Sequence, residues 1–303
     1  MTRRAFILGT DWFTDCDDVA AVRILCRAHC GGEAKLLGCV LNAAMPYSAA
    51  SLSAFMHSET VDDVPIGIDR RATGFGGRTP YQEAMAKLPH PVKDNDAADD
   101  ALALYRRLLA ENRGKAELIE IGYPQVLAAL LASGGDKFSS LPGIELVREK
   151  VSHLWIMAGK WDEPGGRENN FCRNRTASEA AETLCRDWPT PITFLGWEVG
   201  ASVLSGRTLP PDDLLKQAMA AHGSPDGRCS WDPMLALLAL HGDPEKAGYS
   251  CVYGTARVDG RDGSNRFDPS PGGRHRFVVK KYDDAVYEKE LEQRLSAEGK
   301  KTI

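Results

Sequence analysis

Four aspartates lie within eight residues near the start of the chain, at Asp11, Asp15, Asp17 and Asp18. Carboxylates this close together repel one another unless a positive charge joins them. Because carboxylate oxygens are the ligands that hard divalent cations prefer, the spacing predicts a calcium or magnesium site. Aspartate also caps helices and complements their positive end, so one or two of the four could be purely structural. Capping alone does not need four carboxylates, which favours the metal site.

The acidic window lies between an apolar run and a helical pattern. Residues 5–8 predict a buried parallel strand, and residues 19–26 predict the helix that follows it. In an open α/β sheet, such a strand-to-helix turn lies at the carboxyl edge of the strands, where ligands bind. The aspartates are therefore expected at the ligand-binding edge of a sheet.

The alternation of strand and helix recurs along the chain. Further strands are predicted over 34–41, 64–68, 116–121, 153–157 and 191–195, with helices over 48–58, 97–112 and 177–186 and a short one ending at 131. This alternation predicts an α/β fold, with an open, mostly parallel sheet, helices on both faces and right-handed crossovers. Residues 70–96, rich in Gly, Pro and charge, are predicted to form a surface excursion over the carboxyl edge, as lids often do.

The last third of the chain is predicted to be more helical. Helices are expected over 211–222, 231–240 and 285–295, with a strand pair over 250–258 and 275–280. No Gly/Ser/Pro-rich linker divides the sequence. We therefore expect a single domain that spans residues 1–303.

Composition limits the classes of partner. The chain has 303 residues and a formal net charge of −5, which argues against nucleic acid and favours small molecules. Its eight cysteines form no Cys-x-x-Cys pair, which argues against zinc. It contains neither an apolar signal segment nor an apolar span of about 20 residues, so no membrane partner is expected. A cytoplasmic protein with reduced thiols is the expectation.

Two later segments could join the acidic window. The loop after the strand that ends at Met157 carries Asp162, Glu168 and Asn170, whose oxygens and amide could bind a polyhydroxyl ligand such as a sugar. By composition alone, an ordinary hydrophilic loop is the better explanation of this segment. Farther on, Asp232 and Pro233 begin an apolar helix. Helix capping explains this segment locally and does not exclude metal binding.

Together the three segments resemble the nucleoside hydrolase family, the inosine-uridine-preferring enzymes and their relatives. Residues 11–18 resemble the opening Asp-rich turn of that family, which ends in Asp-Asp. Glu168 to Asn170, Ser-Glu-Ala-Ala at 178–181 and the Pro-Ile strand within 189–198 resemble its middle segment, and Trp-Asp-Pro at 231–233 resembles its late helix start. The resemblance runs in order from about residue 5 to about residue 295. It implies the Rossmann-like nucleoside hydrolase fold in one domain.

The resemblance implies calcium-dependent hydrolysis of the N-glycosidic bond of ribonucleosides, to free base and ribose. It implies a calcium ion held by Asp11, Asp18, Asp232 and a main-chain carbonyl near Gln125. The ion would hold two ribose hydroxyls and a water, whose proton Asp11 accepts as the water attacks C1′. The residues expected to bind the ribose are Asp17, Asn42, Glu168 and Asn170. A homodimer or homotetramer is expected by the same analogy.

The departures from the family pattern concern specificity. The acidic turn is two residues longer than its shortest family form, with Phe13 at a usual glycine position and no assigned role for Asp15. Asp162 stands where many relatives place an asparagine for the ribose 5′-hydroxyl. Trp231 stands where nonspecific members carry a proton-donating histidine. Tryptophan cannot supply that proton, but it can stack on a base.

The Trp-Asp pair resembles the purine-specific inosine-adenosine-guanosine branch, which predicts purine nucleosides as substrates. An opposing aromatic face could come from Trp12, Tyr81 or Trp197, although core packing is the commoner role of any one aromatic residue. Two alternatives stay open. The protein could hydrolyse a modified or non-standard riboside, or it could be a catalytically silent relative that binds sugar or calcium.

Overall fold

The computed structural model describes residues 3–296 of the chain. Within these residues the strands are β1 (Arg4–Thr10), β2 (Ala34–Leu41), β3 (Ile66–Ile68), β4 (Asp99–Asp100), β5 (Ala116–Glu120), β6 (Val151–Met157), β7 (Ile192–Leu195), β8 (Leu204–Ser205), β9 (Arg228–Cys229), β10 (Tyr249–Val258), β11 (Asn265–Pro269) and β12 (His275–Lys280). The helices within them are α1 (Asp17–Cys30), α2 (Ser48–Ser58), α3 (Gln82–Met85), α4 (Ala101–Glu111), α5 (Gln125–Ala132), α6 (Gly143–Lys150), α7 (Asn169–Cys172), α8 (Arg175–Asp187), α9 (Trp197–Gly200), α10 (Leu214–His222), α11 (Trp231–His241) and α12 (Asp284–Leu295).

The main sheet is mostly parallel, as the sequence predicts. Its strand order in the described part of the chain is β11-β10-β12-β7-β6-β5-β1-β2-β3-β4. Pairing is parallel from β12 to β4, and only β10 runs antiparallel to its neighbours β11 and β12. A separate two-stranded ladder joins β8 and β9.

The strand order reverses between β1 and β5. From β1 the chain adds β2, β3 and β4 on one side, and it then returns to add β5, β6 and β7 on the other. Adjacent crossovers that leave in opposite directions open a crevice at the carboxyl ends of the two strands, the usual ligand site of such sheets. The acidic turn follows β1 directly, and the segment that begins at Gly122 follows β5.

Both faces of the sheet are covered by apolar helices. In β1, Phe6 and Leu8 pack into the core on one face, whereas Ile7 packs into the core on the other. This follows from the two-residue period of a strand, and it explains why β1 is a continuous apolar run. Helices α1, α2 and α11 cover the first face, and α4, α5, α6 and α8 cover the second.

The predicted elements agree closely with the structure where hydrophobic periodicity was strong. The bounds of β2, α2 and β12 match the predictions, and the predicted pair β10 and β12 is antiparallel. The sequence-based prediction missed two elements whose hydrophobic pattern is weak. These are α6, half of whose residues are charged, and β11, a polar edge strand. In the last third, α10, α11, α12 and the pair β10 and β12 are present as predicted, and β11 extends the main sheet beyond β10.

Within residues 3–296, no helix is both long enough and apolar enough to span a bilayer.

Candidate active site

The turn between β1 and α1 has an unusual backbone. Trp12 and Thr14 have positive φ angles of 54° and 65°, which are rare for residues other than glycine. The Trp12 ring is buried and its Nε1 donates to Ser51 Oγ at 2.9 Å. Phe13 is also buried, against Tyr123. Two buried aromatic side chains therefore anchor this turn.

Two helix starts bring the aspartates together. Asp18 Oδ1 accepts hydrogen bonds from Thr10 Oγ1 and from the Trp12 backbone N–H. Asp17, one residue earlier in the first turn of α1, accepts from the backbone N–H of Asp232, in the first turn of α11, at 3.1 Å. Both helices point their N-terminal ends at the cluster, and these partial positive charges favour carboxylates there.

The cluster is nonetheless strongly acidic and buried. Asp11, Asp17, Asp18 and Asp232 are each at most 6% exposed. Burial, and after it the charge of nearby Asp15, raises the pKa of Asp18 to about 7. Burial and neighbouring carboxylates hold the pKa values of Asp11, Asp17 and Asp232 well above their usual range. The ionised cluster therefore calls for a cation.

The donor set fits a hard cation. Asp15, Asp17 and Asp18 each offer a carboxylate oxygen, and these oxygens lie within 4.8 Å of one another. Asp11 is close enough that the charges of Asp18 and Asp15 raise its pKa, and the charges of all three raise the pKa of Asp232. Oxygen-only ligands of this kind suit calcium or magnesium. This trio includes Asp15 and Asp17, to which the family resemblance assigns no metal role.

A cavity of about 330 Å³ opens above this cluster. Its size falls in the usual range for small-molecule sites. Seven of the residues predicted from the sequence line it: Asp11, Asp17, Asp18, Glu168, Asn170, Trp231 and Asp232. The fold thus brings the three separate sequence segments to one place, at the carboxyl edge between β1 and β5.

The loop after β6 supplies one wall. Glu168 caps α7, and its two carboxylate oxygens accept from the backbone N–H groups of Asn170 (2.8 Å) and Gly159 (3.0 Å). Burial raises the pKa of Glu168 to about 7. Asn170 Nδ2 donates to the main-chain oxygen of Met157 at 2.9 Å. These bonds fix both side chains against the end of β6.

Three predicted residues are absent from the described lining of the cavity: Asn42, Gln125 and Asp162. The side chain of Asn42 accepts from Tyr123 N at 3.0 Å and donates to Glu120 Oε1 at 2.7 Å, which joins the ends of β2 and β5. Gln125 Nε2 donates to the main-chain oxygen of Asn42. Asp162 forms an ion pair with Lys160 at 3.1 Å and is half-exposed. Their binding roles stay predictions.

Glu120 is a buried residue behind the site that the sequence did not single out. Burial raises its pKa to about 8, although Asn42 and the backbone of Gly122 donate to it. A side chain at Gly122 would come within 2.4 Å of the Asp11 backbone nitrogen. This close approach explains the glycine and lets the end of β5 pack directly against the acidic turn.

Two tryptophans form the aromatic part of the cavity wall. Trp231 Nε1 donates to the main-chain oxygen of Trp197 at 2.7 Å, and the two rings stack with centroids 6.4 Å apart. Trp197 is 44% exposed. Of the three aromatics suggested to face Trp231, only Trp197 lines the described cavity, because Trp12 and Tyr81 pack against each other in the core.

Two arginines in the cavity wall were missed by the sequence analysis. Arg228 Nη2 lies 3.0 Å from Asp15 Oδ2, and its guanidinium carbon lies 5.2 Å from the centroid of the Trp231 ring. Arg173 donates to the main-chain oxygens of Phe75 and Gly76 and so ties the 70–96 excursion to the site. Arg228 precedes Trp231 by three residues, a proximity that could have drawn attention to it. No local pattern marks Arg173.

A larger groove, of about 1120 Å³, lies between α8 and the β10–β11 hairpin. It is rich in arginine, but its arginines have structural partners: for example, Arg175 pairs with Glu179, and Arg274 donates to the carbonyls at the end of α8. None of the sequence-predicted site residues lines it within the described chain. The smaller cavity is therefore the candidate active site.

No protein-family model matches the chain. No curated protein matches it either. Solved structures do match. A plant nucleoside hydrolase superposes with a TM-score of 0.70 at 16% identity, covering 98% of this chain and 100% of that one. An inosine-uridine preferring nucleoside hydrolase from Bacillus anthracis gives 0.68 at 14% identity, covering 99% and 100%.

A purine-preferring ribonucleoside hydrolase from Gardnerella vaginalis gives a TM-score of 0.67 at 16% identity, again covering 99% of this chain and 100% of that one. Similarity over whole chains at such low identity shows a shared fold. The chain therefore has the nucleoside hydrolase fold, which confirms the resemblance at that level. A shared fold does not by itself establish a shared reaction.

Proposed function

We propose that the protein hydrolyses the N-glycosidic bond of ribonucleosides, prefers purine nucleosides and uses calcium. One observation carries this proposal: at the β1–β5 crevice, a single cavity joins the buried aspartates to Glu168, Asn170 and Trp231. Carboxylates and an amide suit a sugar, and an indole suits a base. The nucleoside hydrolase fold supports the same reading.

The metal would be held by Asp11, Asp18 and Asp232, with Asp15 and Asp17 beside them. When bound, a calcium ion would supply the positive charge that keeps these carboxylates ionised, and open positions for a water and two ribose hydroxyls. The main-chain carbonyl near Gln125 remains the fourth proposed protein ligand.

The chemical step assigned to this chain is removal of a proton from water. Asp11 accepts that proton while the water oxygen attacks C1′ and the bond from C1′ to the base nitrogen breaks. Positive charge develops on the sugar ring as the bond breaks, by analogy with glycoside hydrolysis. The remaining carboxylates of the cluster stabilise that charge. Asp17, Glu168 and Asn170 would hold the ribose hydroxyls.

The direct test is a panel of ribosides incubated with the calcium-loaded protein. We expect inosine, adenosine and guanosine to release free base and ribose faster than uridine and cytidine do. Chelation should stop the reaction, and added calcium should restore it. If only a modified riboside is cleaved, the substrate proposal fails and the enzyme class stands. If no riboside is cleaved while calcium or ribose still binds, the protein is a catalytically silent relative that binds sugar or calcium.

Trp231→Ala tests the proposed base contact. Base–aromatic stacking contributes roughly 1–3 kcal/mol, so we expect kcat/KM for inosine to fall about 5- to 150-fold. Trp231→Phe keeps an aromatic face and should lose far less. Steady-state kinetics on inosine and uridine check this. Equal losses for both nucleosides in Trp231→Ala would contradict a purine-stacking role.

The cytoplasmic location and the homo-oligomeric state stay predictions from the sequence.

A further inference from the structure

Arg228 lies in the wall of the candidate site and carries an unsatisfied donor. Its side chain is 22% exposed and lies across from Asp15 and against the Trp231 ring. The ion pair uses Nη2, whereas the buried Nε finds no acceptor among residues 3–296. A guanidinium has five N–H donors, and an unmade hydrogen bond on a buried donor is costly. The partly exposed side chain lines the cavity, so the terminal N–H groups of its guanidinium can donate to a ligand there.

Arg228 lies between the acidic turn and the Trp231 ring, which is the end of the cavity proposed for the base. The aspartates that would hold the sugar are almost completely buried, whereas Trp197 is substantially exposed. A ribose held by the aspartates therefore directs its base outward, towards Trp231. Arg228 is the cation beside that ring.

The proposed reaction needs a group near Trp231 that stabilises the leaving base. When the bond to C1′ breaks, its electron pair goes to the base nitrogen, and a neutral nucleoside leaves a negatively charged base. Trp231 has no proton to give at neutral pH. None of the described residues that line the cavity is a histidine. Another group must therefore stabilise the negative charge on the departing base.

We propose that Arg228 stabilises the negative charge of the departing base by hydrogen bonding, and that Asp15 holds the guanidinium in place for it. This inference rests on the proposed function and adds the leaving-group residue to it. Arginine keeps its own proton, so its contribution is electrostatic. The departing base later takes a proton from solvent, and Asp11 returns to solvent the proton that it took from water. Asp15, which also offers an oxygen to the acidic trio, acts in this inference as a positioning residue.

The proposal predicts that the need for Arg228 depends on the leaving group. The base of inosine leaves as a poorly stabilised anion. The leaving group of p-nitrophenyl β-D-riboside is p-nitrophenolate, an anion that needs little further stabilisation. We expect Arg228→Met to slow inosine hydrolysis by about 100-fold or more, the usual loss for a group that meets developing charge. The same variant should slow the nitrophenyl substrate only a few-fold. Arg228→Lys should recover part of the inosine rate.

Further variants control for loss of folding and for an alternative proton donor. Arg228→Gln keeps polar hydrogen-bonding capacity without charge and replaces Arg228→Met if that variant melts early. Asp15→Asn should show a smaller loss with the same dependence on leaving group. His222 is the rival proton donor, since it is near enough for the charges of Arg228 and Asp15 to affect its pKa, yet burial holds that pKa below its usual value. His222→Asn should leave both rates unchanged.

The outcomes separate the possibilities. Selective loss on inosine in the Arg228 variants supports the inference. Equal loss on both substrates shows that Arg228 only supports the structure, and overturns it. A selective inosine loss in His222→Asn overturns it in favour of a histidine acid. If the calcium-loaded wild type cleaves neither substrate, the proposed function itself fails, and this inference with it.

Discussion

Asp11→Asn is expected to lower the rate of purine release by about 100-fold or more, the usual contribution of a general base. The substitution keeps the size and shape of the side chain but removes its ability to accept a proton from water. Asp11 lies in the cavity lining within the buried acidic cluster. The measurement is kcat and kcat/KM for inosine in saturating calcium.

Stability distinguishes this loss from unfolding. Burial and the neighbouring carboxylates of Asp18 and Asp15 raise the pKa of Asp11, so its charge opposes folding when no metal is bound. The melting temperature of metal-free Asp11→Asn should therefore equal or exceed that of the wild type. Asp268→Asn, an exposed aspartate on β11, is the matched control and should retain full activity. A fully active Asp11→Asn enzyme would remove Asp11 from the mechanism.

Calcium is expected to stabilise the protein substantially, and more so at higher pH. At a calcium concentration about 100 times its dissociation constant, binding adds about 2.7 kcal/mol to the free energy of unfolding. For a chain of 303 residues that corresponds to a rise in melting temperature of about 4 °C. Thermal melts at pH 6.5 and pH 8, with calcium or with chelator, measure the effect.

The pH dependence follows from the carboxylates. The folded-state pKa of Asp18 is raised from 3.8 to about 7, mainly by burial. Its contribution to stability is complete below the unfolded pKa and is lost as the pH rises through about 7. The metal-free protein should thus be weaker at pH 8 than at pH 6.5, and calcium should reduce the difference.

The lower pH limit of this experiment is set by histidines. Burial lowers the pKa of His153 to about 3 and that of His275 to about 4. Each remains neutral in the folded protein while the unfolded chain takes up a proton, so stability falls as the pH drops below about 6.5. Melts below that pH would mix the two effects. Asp18→Asn and Asp232→Asn should abolish the calcium shift, and Asp268→Asn should keep it.

Two results would contradict the calcium prediction. If no divalent cation shifts the melt of the wild type, the acidic cluster is not a metal site. If magnesium or another cation shifts the melt and calcium does not, the cluster is a metal site of different selectivity.

The acidic turn shows which site residues local sequence patterns could predict. Asp17 and Asp18 were recognisable because a strand pattern, a turn and a helix pattern follow one another within a short window. Asp232 was recognisable because it begins an apolar helix next to a tryptophan. The structure confirms that these segments meet, with the backbone of Asp232 donating to Asp17.

Asn42 and Asp162 show what the position of a residue after a strand leaves open. Both follow strands and so lie near the carboxyl edge, as predicted. The direction and partners of a side chain depend on its neighbours in space. Asn42 is occupied by Tyr123 and Glu120, and Asp162 pairs with Lys160.

By itself, the sequence determined the class of the sheet and the place of the acidic turn in it, because these depend on short-range periodicity and strand ends. Its resemblance to a known family identified seven of the residues that line the cavity. Only the tertiary structure decided that Asp15 pairs with Arg228, that Trp197 stacks on Trp231 and that Phe75 packs on Tyr123. Each of these contacts joins residues far apart in the chain. Their geometry arises from how helices and loops pack across the β1–β5 crevice, and no local pattern records that packing.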